Sequence, residues 1–413
     1  MKLLEGRVYY GWVVVFATFL AMLVISLPVY TFGVFIEPLT DAFGWSRANI
    51  SGAVSIFQLL VGMLAFGFGR LSDRYDIRLT MGIGTVLILL SFFACSKIAS
   101  LTHLYLAFAG LGIGSSALYV PMTSTVASWF RKRKGLAVGL AVTAFGVGMA
   151  SFSPLLEMLI SNYGWRDTFL ISGAFAFFLL LVSISLMRNP PDDPEDRIKV
   201  GLEPEESSDD PGSDDMTPGE AVRTKSFWLT YFSLLFAYIS AFFVTTHIVP
   251  NALGLGISSL YAATLLTVIG VFNVAGRLLG GFTSDEFGVT RALTLLFAAQ
   301  AISLFLLANL TSLWSIYSVA LLFGISYGGW AMILPVITND FFGRTHSGQI
   351  MGLFETVTGI GGAMGPYFAG YIYDLTGQYT LAFLIAGTIT LVGVVLTVFL
   401  RRYSRKEGLI GKD

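Results

Sequence analysis

The chain has 413 residues, of which 55% are hydrophobic and 12% charged, with a net charge of −1. A soluble globule carries roughly 25% charged residues. Half that supply cannot cover a surface of this size in water, and a mean hydropathy of +0.74 places the bulk of the chain in lipid. A soluble enzyme and a nucleic-acid-binding module are excluded, and the near-neutral charge offers a polyanion little to hold.

Helices and closed barrels are the only structures that cross a bilayer. Barrel strands alternate polar and apolar residues over about ten positions. This chain has long unbroken apolar runs instead, so it is helical. At about 20 residues per crossing, twelve spans are predicted. The first six cover residues 11–36, 47–69, 79–98, 102–129, 135–160 and 166–187. The second six cover 226–250, 257–282, 291–309, 312–340, 348–372 and 379–400. The first span begins at Gly11-Trp12 and is longer than the apolar core of a cleavable signal, so it is expected to remain in the mature chain.

Residues 188–225 separate the two sixes. They hold twelve acids, five bases and six prolines, with no large apolar cluster. Such a stretch reads as a solvated linker without its own core. Three parts follow: an N-terminal bundle at 1–187, an acidic cytoplasmic linker at 188–225, and a C-terminal bundle with a short tail at 226–413. Outside the linker, bases exceed acids by 20 to 14. With both termini cytoplasmic, 21 of the 25 basic residues fall on the cytoplasmic side. Only Arg47, Lys97 and Arg166 lie on the outer side, and Arg277 falls inside a span. The positive-inside rule therefore sets the orientation, in a plasma or inner membrane. The single cysteine, Cys95, allows no intrachain disulfide. Three histidines far apart in sequence make no metal site, so neither a metal nor another cofactor is expected.

The two sixes resemble each other at an offset of 212–213 residues. Pro38 matches Pro250, Ser46 matches Ser258, and Gly69 with Ser72-Asp73 matches Gly281 with Ser284-Asp285. Gly135 and Gly139 match Gly348 and Gly352, Pro154 matches Pro366, and Tyr163-Gly164 falls near Thr376-Gly377. Two six-helix halves from a parallel repeat are a transporter architecture, with substrate near mid-membrane between them.

Between spans 2 and 3 runs Gly69-Arg70-Leu71-Ser72-Asp73-Arg74-Tyr75-Asp76-Ile77-Arg78. It resembles the signature loop of the major facilitator superfamily, with Asp76 in place of the usual glycine. A degraded copy, Gly281-Phe282-Thr283-Ser284-Asp285, stands at the matching place in the second half. The resemblance implies an all-α membrane protein of twelve transmembrane helices in two pseudo-symmetric six-helix bundles. It also implies a conformational latch at Asp73, Arg74, Arg78 and Asp285; a plain topogenic basic loop is the alternative. Between spans 4 and 5, the run from Trp129-Phe130-Arg131-Lys132-Arg133-Lys134 to Gly148 is similar to a stretch of the monocarboxylate transporters. The Gly11-Trp12 start of span 1 fits that family too. Oxalate–formate exchangers share much of the pattern.

Arg277 is the most informative residue. A charge inside lipid costs roughly 2.5–3.5 kcal/mol or more, and is normally functional. Eight residues from Asp285, it sits about 12 Å inside the cytoplasmic end at 1.5 Å per residue. Its planar guanidinium matches a carboxylate bidentately; an arginine that snorkels to the cytoplasmic surface is the alternative. Asn273 is one turn away on the same face. The monocarboxylate resemblance implies an Asp-x-x-x-Arg pair in this span; here it reads Asn273-x-x-x-Arg277. The anion-binding arginine is kept, but the acid that could take a proton is not. The family's lysine in span 1 is also missing, for the sequence around Pro28 reads Leu27-Pro28-Val29-Tyr30.

Glu355, about eight residues into span 11, is the candidate for proton coupling, with a structural ion pair or a glutamate near the cytoplasmic vestibule as its alternatives. Tyr119 in span 4 and Tyr327 in span 10 lie among small residues. Each serves either as a hydrogen-bonding wall of the substrate site or as a packing tyrosine. Phe354 is a candidate apolar wall. Glu37, Glu157, His103 and His247 lie near the outer span ends and read as interfacial. The expected function is secondary active transport of small monocarboxylates such as L-lactate or pyruvate by alternating access, with proton symport implied by the family resemblance. The alternative is an oxalate/formate-type exchanger, but a dianion wants a second intramembrane cation and the spans offer none. No nucleophile–base motif supports an enzyme. The expected partners are a monocarboxylate, protons and the lipid bilayer.

Overall fold

The computed structural model describes residues 9–130, 134–190, 215–343 and 346–407. Most of the linker, 191–214, and the basic run 131–133 lie outside the described residues. The first half comprises α1 (Tyr10–Tyr30), α2 (Gly33–Phe43), α3 (Arg47–Arg74), α4 (Ile77–Ser96), α5 (Leu101–Trp129), α6 (Lys134–Val142) and α7 (Ala144–Leu186). After the short α8 (Pro218–Ala221), the second half comprises α9 (Lys225–Gly254), α10 (Ser259–Phe287), α11 (Val289–Leu307), α12 (Leu313–Phe342), α13 (Ser347–Thr376) and α14 (Thr380–Lys406).

Each predicted span has a helix in its place, but the first is broken after Tyr30 and the fifth at Thr143. Thr31 ends α1: its N–H and its hydroxyl both bond the Leu27 carbonyl, at 3.2 and 2.5 Å. A threonine hydroxyl competing for a helix carbonyl bends the chain there, and α2 restarts at Gly33. Spans 5 and 6 are joined through Gly164, whose φ of 79° only glycine adopts freely. Its repeat mate Gly377 has φ 73°. Their ψ angles differ, 164° against 3°, so the repeat keeps a positive-φ glycine at this place but not one turn geometry.

Ten stretches among the described residues are long and apolar enough to cross a membrane, one of them the joined pair Leu136–Leu186. The α13 helix is not among them. Its seven glycines and several tyrosines dilute its hydropathy.

The halves meet along two seams, α3 against α13 and α7 against α10. Both are built on small residues. A Cβ on Gly62 would lie 3.2 Å from Gly359 Cα. One on Gly270 would lie 2.5 Å from the Gly146 carbonyl oxygen. Beside the second contact, Thr267 donates to the Ala150 carbonyl at 2.6 Å. Such backbone approach is how helices associate where lipid supplies no hydrophobic drive.

The second half begins with a capping box. The Thr217 hydroxyl accepts from the Glu220 N–H at 3.3 Å, and the Glu220 carboxylate accepts from the Thr217 N–H at 2.8 Å. That N–H, followed by the Thr217 hydroxyl, holds the Glu220 carboxyl below the usual carboxylate range.

Candidate substrate site

Polar side chains from both halves converge between the seams. Arg277 and Asn273 lie on α10, and Arg277 Nε donates to Asn273 Oδ1 at 3.2 Å. Among the described residues no carboxylate pairs with this guanidinium. Asn273 is buried, and its Nδ2 has no hydrogen-bond partner there. A buried donor without a partner costs about 1–3 kcal/mol. Its backbone is fixed by close packing: a Cβ on Gly328 of α12 would lie 1.9 Å from the Asn273 carbonyl oxygen.

Tyrosines surround this pair. Tyr327 of α12 is buried, and its hydroxyl lies 2.8 Å from that of Tyr30 on α1, a bond between the halves. Tyr119 of α5 shares Phe145 with Tyr30: the ring centroids lie 6.1 and 6.0 Å from that of Phe145. Glu355, Tyr238, Arg277 and Tyr30 all fall within electrostatic range of the Tyr119 hydroxyl. Glu355 on α13 accepts from Thr358 at 3.2 Å. Among the described residues it forms no ion pair. The structure thus brings Arg277, Asn273, Tyr119, Tyr327 and Glu355 together. It adds Tyr30 and Tyr238, which sequence reasoning missed. Nothing marks Tyr238 out among seventeen tyrosines. Tyr30 stood beside the vacant lysine position, and that was its signal.

Phe354 is elsewhere. It is fully buried and stacks on Phe227 at 4.7 Å, with Phe342 at 6.1 Å. It belongs to an aromatic core of α9, α12 and α13 at the base-rich end, not to the polar cluster. The reason is helical: Phe354 and Glu355 are adjacent, so they lie about 100° apart on the same helix.

A second cluster closes the Arg47 end. The Asp374 carboxylate of α13 accepts from the first N–H groups of α3, Arg47 at 3.0 Å and Ala48 at 2.8 Å. An anion at a helix N-terminus is favoured by unpaired N–H groups and the helix dipole. The Arg47 guanidinium donates to Glu37 at 2.8 Å and to the Tyr379 hydroxyl at 3.0 Å, and lies over the Tyr373 ring at 4.0 Å. His247 is fully buried. Its Nε2 lies 2.8 Å from the Pro366 carbonyl and 3.2 Å from the Ser51 hydroxyl, and its Nδ1 lies 2.9 Å from the Tyr379 hydroxyl. A carbonyl only accepts, so Nε2 carries the hydrogen and Nδ1 accepts from Tyr379. The interfacial reading of His247 is therefore corrected: it ties the halves together inside the protein. Glu37 is likewise part of the closure.

The signature loop is only partly described. The side chains of Asp73, Arg74 and Asp285 lie outside the described residues. Arg78 donates through Nε to the Met187 carbonyl at the end of α7, at 2.9 Å. That contact stays within its own half. Asp76, the departure from the family's glycine, caps α4 by accepting from the Arg78 N–H at 2.8 Å.

The chain matches the model of the Major Facilitator Superfamily over residues 14–334 and 230–413. It is 28% identical over 393 residues to monocarboxylate transporter 13 of Rattus norvegicus, covering 93% of this chain and 87% of that one. It is 23% identical over 394 residues to the oxalate:formate antiporter of Oxalobacter formigenes, covering 94% and 91%. A solved bacterial homologue of the human lysosomal transporter Spinster, in an inward-facing and occupied conformation, superposes with a TM-score of 0.72 at 16% identity, over 96% of this chain and 98% of that one. Family and relatives are transporters, not enzymes. With its twelve spans, paired halves and signature loop, the chain belongs to the major facilitator superfamily and is a multi-pass membrane transporter.

Proposed function

We propose that this transporter moves small monocarboxylates such as L-lactate or pyruvate, together with a proton, by alternating access across a plasma or inner membrane with both termini cytoplasmic. The observation that carries the reading is Arg277, a guanidinium at membrane depth between the halves with no carboxylate partner among the described residues. Its only hydrogen bond there uses Nε, which leaves the terminal nitrogens for the two oxygens of a carboxylate. The orphan Asn273 Nδ2 supplies a further donor. Tyr30, Tyr119 and Tyr327 supply hydroxyls for a 2-hydroxyl or 2-oxo group.

Glu355 carries the proton in this reading. Ionised, it opposes an incoming anion; protonated, it does not. Loading proton and carboxylate together leaves the site's charge unchanged, so the pair crosses without a net charge in the low-dielectric interior. The Tyr30–Tyr327 bond and the Arg47–Asp374 closure both join the halves. In alternating access the closure at the Arg47 end, outer in this orientation, must break for substrate to enter there.

The oxalate:formate relative favours a second reading, exchange of organic anions. The single cation of the cluster and the presence of the Glu355 carboxylate near Tyr119 argue against a dianion. Counterflow in proteoliposomes tests the assignment. L-Lactate or pyruvate inside should accelerate entry of labelled L-lactate; acceleration by oxalate and formate alone would replace this reading with the exchanger.

A further inference from the structure

A groove between α9 and α14, at the base-rich end and away from the substrate cluster, encloses about 320 Å³. Arg223, Lys225, Trp228, Phe232, Leu396 and Tyr403 line it. Their order along the helices is a polarity gradient. Arg223 and Lys225 stand at the start of α9, Trp228 one turn in, and Phe232 a further turn in. On α14, Leu396 lies about 10 Å deeper than Tyr403 at 1.5 Å per residue. Trp228 and Phe232 are 46% and 42% exposed, on a surface that faces lipid. The indole is held by its bond to the Val222 carbonyl at 2.8 Å, and the Lys225 ammonium lies 5.1 Å from the Tyr403 ring centroid.

The acids nearby are committed elsewhere. Glu407 accepts from the Lys225 and Ser226 N–H groups at 3.0 and 3.3 Å and so caps α9. Glu220 is held in the Thr217 capping box, and it lies within electrostatic range of Arg223 without pairing with it. Among the described residues neither Arg223 nor Lys225 forms an ion pair. Exposed Arg402 on α14 adds to the positive field. Cations at the mouth, amphipathic rings below them and an apolar floor follow the profile of one lipid leaflet. Basic pockets between transmembrane helices hold anionic headgroups.

We propose that this groove binds an anionic phospholipid, with its headgroup phosphate on Arg223 and Lys225, its ester region beside Trp228 and Tyr403, and an acyl chain along Phe232 and Leu396. Native mass spectrometry of the purified full chain, incubated with phosphatidylglycerol or phosphatidylcholine, tests it. The chain should retain one phosphatidylglycerol and little phosphatidylcholine. The double variant Arg223→Ala/Lys225→Ala should lose at least fivefold of that retention, whereas Arg291→Ala, which removes an exposed cation on α11, should keep it. Melting in detergent separates misfolding from lost binding. Phosphatidylglycerol should raise the wild-type midpoint and leave the double variant's unchanged, with the two midpoints equal in its absence. Equal retention by wild type and double variant would overturn the proposal. So would displacement of the lipid by millimolar inorganic phosphate, which would identify a free-anion site instead.

Discussion

Arg277 spends one guanidinium nitrogen on Asn273 and, among the described residues, none on a carboxylate. That economy suits a residue that waits for a guest. The hydroxyl pair of Tyr30 and Tyr327 behaves as one element, so its two members should not act additively. Tyr327→Phe keeps the ring and removes one hydroxyl, a loss of about 0.5–1.5 kcal/mol. Lactate KM should rise roughly two- to tenfold. Tyr30→Phe should do the same, and the double variant should be little worse than either; additive losses in the uptake assay would show two independent contacts. Arg277 was legible because it is the one basic residue inside a predicted span. His247 was not, because its partners Ser51 and Tyr379 are 196 and 132 residues away in sequence. A long-range hydrogen bond leaves no local pattern, and a lone histidine near a span end looks interfacial until its neighbours are known.

At the scale of helices, α3 and α13 form the seam on which closure depends. Asp374 sits at the junction, its two oxygens on the first two N–H groups of α3. Asp374→Asn keeps the shape but removes the charge that complements the helix terminus, a term of about 0.3–1 kcal/mol. The population open at the Arg47 end should rise roughly two- to fivefold. Labelling with an impermeant maleimide reads this directly, because Cys95 is buried and gives no background. In a Ser55→Cys background, Asp374→Asn should accelerate labelling from that side; an unchanged rate would remove Asp374 from the closure. The spans themselves were legible, since twenty apolar residues have few other uses. The break at Thr31 was not. There the Leu27 carbonyl is shared between the Thr31 N–H and its hydroxyl, and most threonines inside spans share a carbonyl in this way without ending the helix. Adjacent residues were also misassigned to one place: Glu355 reaches the cluster while Phe354 packs at the base-rich end.

For the molecule as a whole, the repeat turns two similar halves into one site. Gly44 and Gly256, 212 residues apart, both hold positive φ, at 68° and 81°. The halves thus share positive-φ glycines at matching places but not their chemistry. The first gives Tyr30 and Tyr119, while the second gives the charges of Arg277 and Glu355. Coupling belongs at this scale, since the proton on one helix must be counted with the anion on another. In the proposed mechanism wild-type uptake falls as external pH rises and Glu355 loses its proton before loading. Glu355→Gln is permanently neutral, so its uptake should be flat with pH while lactate–lactate exchange persists. A wild-type pH profile in the variant would move the proton to another group.

The most direct measurement is accumulation of labelled L-lactate in proteoliposomes under an inward proton gradient, with wild type, Arg277→Ala and Arg277→Lys compared. Wild type should concentrate lactate, and collapse of the gradient should abolish this. Arg277→Ala should lose at least about tenfold, as befits a charge-assisted pair worth roughly 1.5–3 kcal/mol, and Arg277→Lys should recover little because the planar fork is lost. Lactate accumulation undiminished in Arg277→Ala would contradict the account.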